Sequence, residues 1–355
     1  MFLFFKKDKL AVIRLAAFIA FMLAMFMSWN LWFSDRSFPM ATFFNWLPVP
    51  NGTVDVILIL LFVIFFGVFV FKPNWKVGGV ITLLYVYWAL LDQNRLQPFF
   101  FELIFVVFAI SYYKGDKKLA KQCLLLIFVG TYFWSGMHKY NDLFFEKWMN
   151  GLSKRIPFVP YWMRAVFTYA IPFLEAAFGL GLIFIKTRKI AIWLIAIMHM
   201  IILTTFLKGG FGYIVFPLTL FNVFTLFYVF YNDKENSFVE VFQFNYVKKV
   251  IFIFLMLVLP VFNLVGRYDH ILAFSYFSGK PKYCRIHFQD KEATLKLPNL
   301  IQKNVKEYNG AYYLDLNEWS TRSIHVLVYP EMRVYKKVQQ HVDQYVDSPT
   351  QLGFY

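Results

Sequence analysis

The chain has 355 residues, of which 59% are hydrophobic and 16% charged, where a soluble protein carries about a quarter charged residues. Phe alone occurs 46 times, too much apolar surface for a core in water, so lipid is the expected solvent. The net charge of +15 invites a nucleic-acid partner, but Lys and Arg fall in short clusters between apolar runs. That is membrane-flanking charge, and it argues against nucleic acid.

The N-terminal MFLFFKKDKL places basic residues before a long apolar run with no small-residue cleavage site, which reads as an uncleaved anchor. Apolar runs of spanning length follow at 11–33, 53–71, 77–91, 98–113, 122–137, 163–185, 190–207, 211–231 and 249–265. The third and fourth are short and separated only by the polar turn DQNRLQP, so a hairpin within the membrane is an alternative there. Basic clusters orient the chain. Lys6, Lys7, Lys9 and Arg14, then Lys72 and Lys76, then Lys114, Lys117, Lys118 and Lys121, then Lys186, Arg188 and Lys189, and finally Lys234, Lys248 and Lys249 fall on one side. That side is read as cytoplasmic, against the exception of Lys139, Lys147, Lys154, Arg155 and Arg164. Between the last two spans, Phe238, Val239, Val241, Phe242 and Phe244 suit an interfacial helix lying on lipid.

From about residue 266 the composition changes. YCRIHFQD, ATLKLP, AYYLDL and SIHVLVYP read as short strands, and PEMRVYKKVQQHVDQYV as an amphipathic helix with Pro330 at its start. The expected fold is therefore an all-α polytopic membrane bundle of about nine spans (1–265) with a small α+β extramembrane domain (266–355). The expected location is integral to the membrane (the cytoplasmic membrane in a bacterium), with the N-terminus cytoplasmic and the C-terminal domain extracytoplasmic. Cys123 and Cys284 then lie on opposite sides, and no CxxC occurs, so neither a dithiol centre nor a structural disulfide is expected.

Ionisable residues at membrane depth are costly, which makes them candidates for function. In LLDQNRLQPFFFE, Asp92 and Arg95 lie three apart, as an anion clamp or as a capped turn with an interfacial ion pair. In GTYFWSGMHKY, Gly130, Ser135 and Gly136 permit close helix approach, and His138 and Lys139 follow where the span meets the surface. A desolvated Lys139 is a candidate base, and a snorkelling helix-end lysine is the bland alternative. Glu175 lies mid-span in PFLEAAFGLGLIF and must be protonated or paired inside the bundle. His199 in IAIMHMIILTTF is either an interhelical hydrogen-bond partner or a proton shuttle. The six histidines are scattered, with no pair at metal-ligand spacing, so no metal is expected.

In order and spacing, LLDQNRLQP, YFWSGMHKY, FLEAAFGLGLIF and MHMIILTTFLKGGFGYIVF resemble the membrane domain of the vitamin K-dependent gamma-carboxylases, also known as the horizontally transferred transmembrane domain (HTTM). More distantly, the acidic helix is similar to that of DoxX-type membrane proteins. The resemblance implies a lyase that deprotonates a vitamin K-like or menaquinol-like reduced quinone, with Lys139 as base and His138 beside it. Asp92, Arg95, Gln97, Trp134, Glu175 and His199 would then bind the substrate. Gln97 and the residues after it depart from the Asn-Asn-His stretch of the carboxylases, and the large outer domain is missing. Implied partners are membrane lipid, a quinone and an exported protein or peptide. The alternatives are a non-catalytic redox-partner subunit, a scaffold presenting the outer domain to exported proteins and, more weakly, a transporter.

Overall fold

The computed structural model describes residues 8–111, 116–209 and 212–355. Lys6, Lys7 and Lys114 of the basic clusters, with Gly210 and Phe211 of the histidine-helix motif, lie outside the described residues. The protein is an integral membrane helical protein with a small C-terminal sheet domain, as its composition requires.

Seven described helical stretches are long and apolar enough to cross a membrane. They are α1 (Lys9–Met27), α2 (Gly52–Phe71), α5 (Lys117–Met137), α7 (Tyr161–Ile183), α8 (Ile185–Gly209) and two composite stretches, Tyr213–Phe230 and Val247–Val265. The first composite contains α9 (Phe216–Thr225). The second begins with α11 (Val247–Ile253). Two shorter apolar helices, α3 (Trp75–Leu91) and α4 (Pro98–Ile110), flank the DQNRLQP turn. A polar helix, α6 (Asp142–Arg155), begins at the N-cap Asn141, whose side chain accepts from the Phe144 N–H. Only one turn of the interfacial segment is helical, α10 (Phe238–Val241). Phe238, Val239 and Phe244 are exposed there, whereas Val241 turns inward and is fully buried, correcting its expected place against lipid.

Contacts divide the chain into two compact units. The first comprises the chain up to Met22, Phe65–Thr82 and Pro98–Lys280. Its centre is α5, which is buried over 83% of its most apolar window, against 22–50% for the other spanning stretches. This helix can therefore carry polar groups whose partners come from neighbouring helices rather than from water.

In this unit α5 and α7 cross with their backbones in contact, and glycine is the cause. A β-carbon on Gly136 would fall 2.4 Å from the Ala176 nitrogen and 2.5 Å from the Pro172 carbonyl oxygen. One on Gly179 would fall 2.5 Å from the Phe133 nitrogen. Backbone sits against backbone, as small residues permit in lipid. On the other side of α5, Gly130 faces the Met256 carbonyl oxygen. Met256 lies in a π-helical turn, Phe254–Val258. Pro260 follows and has no N–H to return to residue 256, which frees that carbonyl for the neighbouring helix. Gly136→Ala is expected to cost about 1–3 kcal/mol by overpacking, read as a lowered melting temperature in detergent. Gly151→Ala is the control, since a β-carbon there meets nothing within 4 Å.

The second unit comprises Leu23–Ile64, Leu83–Gln97 and Pro281–Tyr355. Its antiparallel sheet has the order β2-β3-β1-β4, from β1 (Cys284–Phe288), β2 (Val305–Tyr308), β3 (Ala311–Asp315) and β4 (Gln351–Phe354). Ile286 on β1 pairs with Leu314 on β3 and Leu352 on β4. Ile286 and Leu314 are fully buried, together with Trp319 of α14 (Leu316–Ile324) and Val334 and Val342 of α15 (Met332–Asp343).

YCRIHFQD and AYYLDL form strands as their alternation predicts, and the amphipathic helix forms as α15. Two expected strands do not. Much of ATLKLP lies in a short helix, α12 (Lys291–Leu295), because the Asp290 carboxylate accepts from the Ala293 N–H and caps it. SIHVLVYP closes α14 and then runs without a partner strand among the described residues. Its alternation is real, with Val326 and Val328 buried and Leu327 exposed. Side-chain amides replace the ladder: the Val328 N–H donates to Asn317 Oδ1 at 3.2 Å and the Tyr329 N–H to Asn94 Oδ1 at 2.9 Å.

Candidate functional site

Positions 131, 132, 135 and 139 recur at helical spacing along α5 and just past its end, which sets Thr131, Tyr132, Ser135 and Lys139 along one side. Neighbouring helices answer each of them. Lys139 Nζ lies 2.5 Å from Glu175 Oε2 of α7 and donates to Ser135 Oγ at 2.9 Å. Ser135 in turn donates to Glu175 Oε1 at 2.8 Å, so both carboxylate oxygens are engaged. The Lys139 and Glu175 side chains are only 8% and 9% exposed. Such an ion pair is sustained only with good geometry and further hydrogen bonds, and this one has both.

One turn back along α5, the Tyr132 hydroxyl lies 2.8 Å from His199 Nε2 of α8. Across from it, Glu102 of α4 accepts from the Tyr276 hydroxyl at 2.7 Å and from Thr131 Oγ1 at 3.4 Å. The Asn222 amide of α9 faces both Glu102 and Tyr132. A buried polar string thus runs Tyr276–Glu102–Asn222–Tyr132–His199, with the Lys139–Ser135–Glu175 cluster beside it. Hydroxyls and imidazole both donate and accept, so the string has the elements needed to store a proton and pass it along inside lipid. Among the described residues, no group of three or more His, Cys, Asp or Glu could hold a metal ion.

The sequence candidates separate into two groups. His199 enters the first unit's polar string, and Lys139 and Glu175 form the ion pair of the cluster beside it. His138, fully buried, stacks on Trp134 at 5.5 Å and lies 3.4 Å from Lys280 Nζ through Nδ1. Burial first, then the Lys280 and His270 charges, push its pKa down to about 3, which keeps the ring neutral at physiological pH.

Asp92, Arg95 and Gln97 belong to the second unit. Their turn is helical, a single 3-10 turn over Gln93–Arg95 that Asp92 caps by accepting from the Asn94 N–H. The ionic partner of Asp92 is Arg36, and its other oxygen accepts from the Ala41 N–H at 3.1 Å. Arg95 instead donates to the carbonyls of Leu31 at 3.1 Å and Trp88 at 3.3 Å. Gln97 donates to the Leu327 carbonyl at 2.9 Å, and Gln93 Oε1 accepts from Arg333 at 2.5 Å. This knot holds the 31–41 loop and the C-terminal segment to the turn.

Sequence reasoning misses Glu102, Tyr132, Asn222 and Tyr276. Glu102 and Asn222 each stand alone in an apolar helix, so the rule that singled out Glu175 would have found them. Tyr132 and Tyr276 carry no such mark in a chain with 22 tyrosines.

A family model described as "Methylamine utilisation protein MauE" matches residues 117–229. No curated protein and no solved structure matches the chain. The MauE match corrects the resemblance to the gamma-carboxylases and the horizontally transferred transmembrane domain. The carboxylase-like enzyme with a Lys139 base falls with it, and the lyase and quinone expectations lose their support. The physical reason is that a polar turn, a small-residue helix and a lone membrane histidine meet general needs of helical membrane proteins. The turn, for example, is an N-capped knot serving the second unit.

Proposed function

We propose that the chain carries out a membrane step in small-amine utilisation, of the kind the MauE description names, and that the polar string in the bundle performs it. One observation carries this reading. Tyr132, Ser135, Lys139, Glu175, His199 and Asn222 come from four helices, and all six fall within the matched residues 117–229. Side chains of this kind are costly to bury in lipid, and apolar contacts alone would pack the same helices, so their presence together supports a role in handling protons or a polar solute. Thiol chemistry fits less well. Both cysteines are buried free thiols, and burial, with Asp315 adding to it, pushes the Cys284 pKa up to about 12.

The N-terminus is cytoplasmic in this reading, supported by the basic clusters at 72–76, 117–121 and 186–189. Counting both short helices as crossings, or neither, leaves an odd number, so the C-terminal sheet domain lies outside, within reach of an exported protein.

The test is growth on methylamine as nitrogen source, in a methylamine-using bacterium from which its own MauE has been deleted. Wild-type chain is expected to restore growth. Glu175→Gln and His199→Phe are expected to fail at equal membrane abundance. Failure of the wild type at normal abundance would overturn the proposal, and growth with both variants would remove the polar string from it.

A further inference from the structure

A cavity of about 190 Å³ lies in the first unit where α5 and α11 begin, lined by Asp116, Lys118, Gln122, Glu240, Asn245 and Lys249 among others. We propose that it binds a phospholipid headgroup bearing both a phosphate and a primary amine.

Lys249 is the starting point. It is 1% exposed, and its ammonium donates to the Glu240 carbonyl at 2.9 Å and Asn245 Oδ1 at 3.0 Å, with the Tyr246 ring at 5.8 Å. All three are neutral, and among the described residues no carboxylate stands within ion-pairing distance, since Asp116 and Glu240 act on it only from further away. A buried cation whose direct hydrogen-bond partners are all neutral retains demand for an anion in contact with it. Lys118, 2.5 Å from Glu240 Oε1, stands on the same cavity with its charge already answered. Asp116 supplies the complementary need. One of its oxygens accepts from the Leu119 N–H at 3.0 Å as the cap of α5, and among the described residues no cation stands within ion-pairing distance of this carboxylate on the cavity wall, with Lys248 and Lys249 acting on it only from further away. Two groups of opposite sign on one cavity, neither in direct ionic contact among the described residues, match a headgroup that carries both signs.

The surroundings point to lipid rather than a soluble ligand. Val239, Phe244 and Val247, on the segment that lines the cavity, are 65%, 71% and 78% exposed. Apolar residues so exposed beside a charged cavity at the start of two spanning stretches mark a membrane interface.

The experiment is native mass spectrometry of the full chain in mild detergent, offered equal amounts of phosphatidylethanolamine, phosphatidylglycerol and phosphatidylcholine. Phosphatidylethanolamine is expected to be retained preferentially. Lys249→Met is expected to reduce that retention about fivefold or more, the factor that about one charged contact at a membrane surface supplies. Asp116→Asn preserves the cap, and is expected to abolish the preference over phosphatidylglycerol, which decides the matter even if Lys249→Met fails to fold. Absence of a headgroup preference in wild type, or a preference unchanged in Asp116→Asn, would overturn the proposal. Equal competition by soluble glycerophosphoethanolamine would overturn the lipid as the source.

Discussion

Glu175→Ala is expected to destabilise the purified protein by about 3–5 kcal/mol, the cost of leaving a buried charge unpaired. Among the described residues, the variant leaves the Lys139 ammonium with Ser135 Oγ alone as a hydrogen-bond partner, in a position where its side chain is 8% exposed. The double variant Lys139→Met/Glu175→Leu removes both charges and is expected to recover most of that loss. Thermal or detergent unfolding of Lys139→Met, Glu175→Leu and the double variant gives the coupling energy directly. A single-variant cost below about 1 kcal/mol, the level of an exposed pair, would mean that water reaches this pair and that the buried string is not dry. The double variant also separates structure from function. If it is as stable as wild type but fails to support growth on methylamine, the charges serve the activity and not merely the packing.

Asp92→Ala is expected to cost a similar amount, about 3–5 kcal/mol, in the second unit. It leaves Arg36 without its carboxylate and removes the acceptor of the Ala41 N–H and of both Asn94 donors. Asp92→Asn should cost less, since an amide still caps the turn. The pH dependence has a definite sign. Burial acts to raise the Asp92 pKa, but the Arg36 and Arg95 charges and the hydrogen bonds from Arg36 and Ala41 outweigh it and hold the carboxyl below its ordinary value. A carboxyl depressed on folding contributes stability that is fully present above its unfolded pKa, about 4, and lost as pH falls through the lower folded value. Wild type should therefore lose its advantage over Asp92→Asn on acidification below about pH 4. An advantage independent of pH across that range would show that the Arg36 contact contributes little.

Much of the architecture is legible in the amino-acid order because lipid imposes so strict a rule. A spanning segment must be long, apolar and internally hydrogen-bonded, and each of the nine apolar runs contains a helix. The same rule marks Glu175, Lys139 and His199, since a polar group in such a run must find a partner. Gly136 is legible as a place of close approach for the same reason.

The sequence does not determine which partner each polar group takes. Asp92 stands three residues from Arg95, yet it pairs with Arg36, 56 positions away, because the turn points its carboxylate at the 36–41 loop. Glu102 meets Tyr276 across 174 positions. SIHVLVYP has the alternation of a strand and is held instead by the side chains of Asn317 and Asn94. Composition and periodicity report how a segment meets its solvent, and so determine the spans and the positions that need a partner. The identity of that partner depends on which segments, distant in the chain, pack against one another, and only the tertiary structure decides it.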